Sequence, residues 1–137
     1  MKILISIIFA LTSIVSSAQN VVPMLDFNNY FKSFKDGFFQ TIELQRIEDF
    51  KAGDNVVGYI DVRGNLVVYD GKSKMNLANL KVEYEVSDNL LTWRIGSTLN
   101  MWDGGKKQTL TFNVGKYWVR DNIVVFEDTR YNSVNTY

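Results

Sequence analysis

Two dipeptides recur along the 137-residue chain at matching intervals. Asp-Asn pairs open apolar runs 34 and 33 residues apart, and Asp-Gly pairs recur at the same two intervals. Each Asp-Gly glycine precedes the next Asp-Asn aspartate by 17 residues. The pairs are Asp54-Asn55, Asp88-Asn89 and Asp121-Asn122, and Asp36-Gly37, Asp70-Gly71 and Asp103-Gly104. A fixed period of this length is typical of repeat architectures, in which neighbouring units bury each other's apolar faces.

The apolar runs within each unit have the length and composition of β-strands. They are four to seven residues long, rich in Val, Ile, Leu, Tyr and Trp, and bounded by Gly, Asn and Asp. Asp-Gly suits a hairpin turn because glycine adopts positive φ without steric cost, and Asp-Asn tolerates the left-handed region. Helical repeats of similar period do not fit, since turn residues interrupt every stretch long enough for a helix. The pattern predicts four short antiparallel strands per unit.

This arrangement resembles the blades of a β-propeller, in which four-stranded sheets pack face to face around a central axis. The units cover about residues 30–53, 54–87, 88–120 and, in part, 121–137. The resemblance implies an all-β fold, a partial β-propeller over residues 30–137, and the alternative is an open β-meander or a β-sandwich. Because a propeller needs four to eight blades and the last unit is partial, we expect the chain to be the N-terminal fragment of a longer protein.

Residues 1–18 have the pattern of a secretory signal peptide. Lys2 precedes an apolar run over residues 3–15, and the small residues Ser16-Ser17-Ala18 come before a predicted cut at Gln19. The run has 13 residues, whereas a membrane span needs about 20. The sequence therefore predicts a secreted or periplasmic protein with no membrane span after cleavage between Ala18 and Gln19.

The residues after the predicted cut are less regular. We interpret residues 19–29 as a leader before the first unit. From Asp26 to Gly37, aromatic residues at helical spacing are compatible with an amphipathic helix capped by Asp26. The repeat instead aligns residues 34–37 with residues 68–71, which predicts a strand entering a hairpin. We favour the strand because the repeat phase is the longer-range constraint.

The composition excludes most catalytic chemistry. The chain has no histidine and no cysteine, so imidazole bases, thiol nucleophiles and nearly all zinc and haem sites are excluded. Glycine-rich phosphate-binding loops do not occur. Loss of Lys2 with the signal peptide would leave 14 basic and 15 acidic side chains, which gives no electrostatic attraction for nucleic acid. We predict no cofactor, no bound metal and no nucleic-acid partner.

Carboxylates remain as candidate catalytic groups, because an Asp or Glu pair can hydrolyse glycosides. A carbohydrate-active propeller enzyme, with carboxylates partly outside this chain, is therefore the alternative function. No two carboxylates recur together in the repeat, so we interpret them as solvent-facing or turn residues, and Asp54, Asp88 and Asp121 as turn residues instead of calcium ligands. The candidate carboxylates are Glu43, Glu48, Asp49, Glu83, Glu85, Glu127 and Asp128.

Aromatic residues divide into recurring and isolated positions. The recurring ones are predicted to be core. Trp118 differs, because its counterparts are Lys51 and Glu85, and an exposed tryptophan can stack on a sugar or anchor a protein. Arg130 and Tyr131 lie in the longer turn of the fourth unit, where repeat proteins place contacts. Trp118, Arg130 and Tyr131 are the predicted partner-binding residues of a non-enzymatic binding or scaffold module whose partner is a protein or a glycan. The predicted core positions are Tyr59, Trp93 and Phe126, and Tyr69, Trp102 and Tyr137.

Overall fold

A computed structural model describes residues 20–137, so the predicted signal peptide lies outside the described residues. This part of the chain forms four antiparallel sheets from fourteen strands, and no helix in it is long and apolar enough to cross a membrane. Sheet 1 contains β1 (Val22–Leu25), β2 (Phe31–Lys35) and β3 (Phe38–Glu43). Sheet 2 contains β4 (Asp49–Ala52), β5 (Val57–Ile60), β6 (Leu66–Tyr69) and β7 (Lys74–Ala78). Sheet 3 contains β8 (Glu83–Val86), β9 (Leu90–Ile95), β10 (Thr98–Asp103) and β11 (Lys106–Thr111). Sheet 4 contains β12 (Val114–Arg120), β13 (Ile123–Asp128) and β14 (Ser133–Thr136).

The strands of each sheet pair in chain order, so every sheet is an up-and-down meander. Short loops then pass to the next sheet, and apolar side chains fill the space between consecutive sheets. This confirms the all-β prediction and the β-propeller type of architecture, because each sheet buries its faces on its neighbours instead of within itself.

Each sheet begins one strand earlier than the sequence unit. The Asp-Asn pairs lie between the first and second strands of sheets 2 to 4, and the Asp-Gly pairs lie between the last two strands of sheets 1 to 3. The strand before each Asp-Asn pair belongs with the strand after it, because the two carry aromatic residues that face each other directly across the ladder. These cross-strand pairs are Phe50 with Tyr59, Tyr84 with Trp93, and Tyr117 with Phe126.

Sheet 1 includes part of the segment that we interpreted as a leader. Val22–Leu25 form β1 and pair with β2 from Val22 opposite Phe34 to Leu25 opposite Phe31, so these leader residues are part of the first sheet. The structure also confirms the strand over Phe31–Lys35 in place of a helix. Asp26 caps a tight turn, since its Oδ1 accepts hydrogen bonds from the backbone N–H groups of Asn28 and Tyr30 at 2.8 and 2.9 Å.

The aromatic residues at the first recurring position are core, as predicted. Tyr59, Trp93 and Phe126 are buried, and each contributes to the apolar cluster between its own sheet and the preceding one. At the second recurring position Tyr69 and Trp102 are buried, but Tyr137 is 47% exposed and its hydroxyl reaches the Asp103 carboxylate at 3.2 Å. Burial of these large rings contributes apolar area to the contacts between sheets.

Backbone hydrogen bonds also connect the sheets near the Asp-Asn turns. The N–H of Val21 donates to the carbonyl of Asp54 at 2.8 Å, and the N–H of Asn55 donates to the carbonyl of Asp88 at 2.8 Å. One sheet further, the N–H of Asn89 donates to Oδ1 of Asn122 at 2.8 Å. The Asp-Asn turns therefore have a second role that turn chemistry alone does not predict, because each accepts a hydrogen bond from the sheet before it.

Candidate binding groove

The first strands of sheets 2 and 3, β4 and β8, lie beside each other and contact directly. Between them runs an open groove of about 400 Å³. All four residues of β4 are exposed, and β4 is an edge strand, so the backbone groups on its free side are not paired within sheet 2. We call this feature the binding groove, and its lining residues are Asp49, Lys51, Val82, Glu83, Tyr84, Glu85 and Tyr117.

Lys51 crosses the groove from sheet 2 to sheet 3. Its Nζ donates to the backbone carbonyl of Tyr84 at 2.7 Å and to Oε1 of Glu85 at 3.1 Å. The same ammonium group lies 5.0 Å from the centroid of the Tyr84 ring. The groove thus holds an ammonium group with a carbonyl, a carboxylate and an aromatic face, the three kinds of group that bind such a cation.

Two tyrosines make up the floor of the binding groove. The Tyr84 hydroxyl donates to Oδ2 of Asp49 at 2.8 Å, and burial raises the pKa of Tyr84 far above its ordinary value, with a further contribution from Asp49. Burial also raises the pKa of Tyr117, and the Glu85 and Glu83 carboxylates add to this effect. Both rings therefore stay neutral at physiological pH, and the charge of the groove comes from its carboxylates and from Lys51.

The balance of charge in the binding groove is negative. Three carboxylates, those of Asp49, Glu83 and Glu85, face the ammonium group of Lys51 and the guanidinium group of Arg94, which lies opposite Glu83 across the ladder, so one negative charge remains in excess. An uncompensated negative potential in a cleft attracts cations and raises their local concentration. The groove is therefore suited to a ligand that carries positive charge.

The predicted partner-binding residues lie elsewhere. Trp118 is on β12, 53% exposed, on the side of sheet 4 that faces away from sheet 3. Arg130 and Tyr131 are in the turn between β13 and β14, where the guanidinium group lies 5.4 Å from the Tyr131 ring centroid. Trp118 pairs with Val125, three positions before the end of β13, so Trp118 and the turn occupy different parts of the sheet.

Three of the candidate catalytic carboxylates, those of Asp49, Glu83 and Glu85, line the binding groove, and the other four accept hydrogen bonds from neighbouring groups. Glu43 accepts from the Tyr59 hydroxyl at 2.7 Å and from Lys74 at 2.9 Å. The Thr111 hydroxyl donates to Asp128 at 2.6 Å and holds the pKa of that carboxyl below its usual range, the opposite of what a general acid requires. Glu48 pairs with Lys81 at 2.6 Å. Glu127 accepts from the N–H of Lys116 at 3.0 Å.

The aspartates of the Asp-Asn pairs serve the turns. The backbone carbonyls of Asp54 and Asp88 accept the hydrogen bonds between sheets, and Asp121 adopts a φ of 49°, which the left-handed region allows. Among residues 20–137, no group of three or more acidic side chains is arranged to hold a metal ion.

The charges of two equivalent positions are the sequence signal for the groove. Lys51 and Glu85 occupy the same position in consecutive units and carry opposite charge, so they meet when the units pack side by side. Opposite charges one repeat apart therefore predict contacts between sheets, whereas a search for catalytic motifs does not.

A family model described as a 10-bladed beta propeller domain matches residues 15–137. A search of curated proteins finds no match. Among solved structures, the chain is similar to the computationally designed Ika4 protein, with a TM-score of 0.44 and 19% identity over 87% of this chain and 85% of that one. It is also similar to the N-terminal domain of Nup159, with a TM-score of 0.47 and 14% identity over 85% of this chain and 43% of that one. Since the family model spans most of its length, this chain belongs to the 10-bladed beta propeller domain family.

Proposed function

We propose that this β-propeller module is a non-enzymatic binding scaffold whose groove between β4 and β8 takes a basic segment of a protein partner. The observation that carries the proposal is the position of Lys51, whose ammonium group is already held by the Tyr84 carbonyl and the Glu85 carboxylate. A lysine or arginine of a partner finds the same kinds of acceptor in Asp49 and Glu83, which line the same groove. The exposed edge of β4 offers backbone groups to an extended peptide as well.

The non-enzymatic assignment is supported by the contacts of the candidate carboxylates. In the groove, Asp49 accepts a hydrogen bond from Tyr84, and Glu85 pairs with Lys51. Glu43, Glu48 and Asp128 are engaged by neighbouring donors at 2.6–2.9 Å, and this holds each of them in a structural contact. We propose in addition that the module works outside the cytoplasm, as a secreted or periplasmic protein. The signal-peptide pattern of residues 1–18 supports this location.

The test is a binding measurement with a fluorescently labelled hexalysine peptide. The protein is isolated after export from a bacterial host, and its intact mass shows whether residues 1–18 have been removed. We expect binding that weakens as salt is added, and a loss of about three- to five-fold in affinity for Glu83→Gln and for Glu85→Gln, because an exposed ion pair contributes up to about 1 kcal/mol.

The matched control is Asp36→Asn, which removes one negative charge from the hairpin of sheet 1, where asparagine tolerates the same positive φ of 52°. An equal loss in this control would mean that overall charge, and not the groove, attracts the peptide. Absence of hexalysine binding, with binding of a neutral oligosaccharide that the two Gln variants leave intact, would replace the protein partner by a glycan.

A further inference from the structure

The turn between β9 and β10 departs from a pattern that the other three sheets share. In sheets 1, 2 and 4 an aspartate at the start of this turn caps it, because its Oδ1 accepts a hydrogen bond from the backbone N–H two residues later, at 2.8–2.9 Å. These aspartates are Asp26, Asp61 and Asp128. Sheet 3 has Ile95 at the equivalent position, two residues after Trp93, as Asp61 is two residues after Tyr59.

The turn of sheet 3 needs no such cap. Ile95 pairs directly with Thr98, which leaves only Gly96 and Ser97 between them, and Gly96 takes the positive φ of 59° that a two-residue turn requires. The Ile95 side chain is 39% exposed, although apolar clusters join sheet 3 to a sheet on either side. A repeat that departs from its own pattern at an exposed position is expected to do so at a functional site.

Ile95 lines an open depression that adjoins the binding groove. The depression has a volume of about 310 Å³ and lies between the end of β9 and the loop before β8. Leu80, Val82 and Ile95 are its apolar lining, and Leu80 is 49% exposed. The depression shares Val82 and Glu83 with the binding groove, so the two are continuous. We call Leu80, Val82 and Ile95 the apolar subsite.

The two basic side chains at the border of the apolar subsite are held by other groups. The Nζ of Lys81 lies 2.6 Å from Oε2 of Glu48. The Nε of Arg94 donates to the carbonyl of Gly96 at 2.6 Å, and its Nη1 donates to the carbonyl of Gly115 at 3.4 Å. The charges beside the apolar side chains are therefore already engaged within the protein.

Glu83 differs in this respect from the other carboxylates of the binding groove. Asp49 accepts a hydrogen bond from the Tyr84 hydroxyl, and Glu85 pairs with Lys51. The ion pairs within residues 20–137 do not include Glu83. Because Glu83 lines both the groove and the depression, a cation that binds to it has the apolar subsite beside it.

We infer that the partner segment carries a large aliphatic residue next to its basic residue, and that the aliphatic side chain enters the apolar subsite while the basic one pairs with Glu83. This inference rests on the proposed function of the groove and names the sequence class of the partner. Val82 and Glu83 are consecutive, so their side chains point to opposite sides of β8, which is an edge strand. An extended segment beside β8 directs consecutive side chains to opposite sides in the same way.

The test compares two labelled peptides of equal charge, Lys-Lys-Lys-Leu-Lys-Lys and Lys-Lys-Lys-Ser-Lys-Lys, by fluorescence anisotropy. We expect the leucine peptide to bind about five-fold more tightly, the effect of burying about half of a leucine side chain. Leu80→Ser and Ile95→Thr should each reduce this preference to below about two-fold, and threonine keeps the β-branch that suits a strand end. An unchanged affinity for the serine peptide shows that each variant is folded.

Val62→Ser is the matched control, since Val62 is 50% exposed in the turn between β5 and β6 and lines neither the groove nor the depression. It should leave the five-fold preference intact. Equal binding of the two peptides by the parent chain would overturn this inference alone, because binding of both still supports the acidic groove. Binding of neither peptide would overturn the proposed function with it. A preference that survives in both subsite variants, or that is lost in Val62→Ser, would overturn the inference as well.

Discussion

Tyr84 connects two sheets through a single hydroxyl group. It belongs to β8 in sheet 3, and its oxygen lies 2.8 Å from Oδ2 of Asp49 and 3.3 Å from the carbonyl of Gly58, both in sheet 2. The hydroxyl remains a donor only while it is protonated, and burial together with Asp49 raises the pKa of Tyr84 above its ordinary 10.0. Contact between these sheets is therefore sensitive to high pH.

The direction of that sensitivity follows from proton linkage. Above pH 10 the unfolded chain loses the tyrosine proton while the folded chain keeps it, so the folded state binds more protons and its stability falls as pH rises. Each such tyrosine lowers the free energy of unfolding by about 1.4 kcal/mol per pH unit in this range. Below pH 10 both states are protonated and the contribution of the contact is fully present.

Tyr84→Phe is the corresponding test. At pH 7 we expect a loss of about 1 kcal/mol in the free energy of unfolding, because the hydrogen bond to Asp49 is removed. Above pH 10 the difference from the parent chain should shrink, and urea unfolding at pH 7 to 11 measures it. Tyr131→Phe, at a 69% exposed position, is the control and should change neither value. A gap for Tyr84→Phe that is constant with pH would contradict the assignment.

Among the elements, the turn before the second strand of sheet 2 lies very close to the backbone of sheet 3. A Cβ built on Gly53 would lie 1.9 Å from the backbone oxygen of Ser87, so only glycine fits there. The atoms that this Cβ would meet are backbone atoms, so no flexible side chain can move aside to make room. Glycine is needed at this position for close approach between two turns, and not for a positive φ.

Gly53→Ala should therefore destabilise the protein by about 3 kcal/mol, the upper end of the usual cost of overpacking. Gly64→Ala is the matched control. Gly64 has a φ of +80° and open space around its Cβ position, so alanine there brings backbone strain alone, about 1 kcal/mol. Denaturant unfolding of the two variants compares these costs. Equal losses in the free energy of unfolding for the two variants would show that the sheets can move apart at Gly53 without a cost in stability.

The strands and turns are the part of the fold that the sequence predicts best. Each difference between prediction and structure has a physical cause. Turn residues and β-branched runs predicted the strands because both act locally. The predicted unit boundaries differ from the sheet boundaries by one strand. A repeat can be divided at any position of its period, and only the hydrogen bonding between strands shows which four strands form one sheet. The strand β1 was missed because Val22–Leu25 precede the first turn marker. Gly53 was indistinguishable from a turn glycine, since its close neighbour, Ser87, is 34 residues away.

For the molecule as a whole, the sheets form a series in which contacts run between neighbours. The three apolar clusters each join two consecutive sheets. In such an array stability is close to a sum of unit and interface terms, so sheets with two neighbours are held more firmly than sheets with one. Sheets 2 and 3 are the sheets with two neighbours.

We therefore expect backbone amides of β5, β6, β9 and β10 to exchange with deuterium at least about ten-fold more slowly than those of β1, β2, β13 and β14. The measurement is native-state hydrogen exchange. Equal protection in all four sheets would mean that the molecule opens only by global unfolding, and the serial description would then be wrong.

The ion pair between Lys51 and Glu85 distinguishes two units that share the same period. These residues hold the same place in consecutive repeats, and they meet at 3.1 Å because one is basic and the other acidic. A tandem duplication of either unit would bring lysine against lysine or glutamate against glutamate at the new junction, and like charges in contact repel. Units that share the same period are thus non-equivalent in electrostatics at this junction.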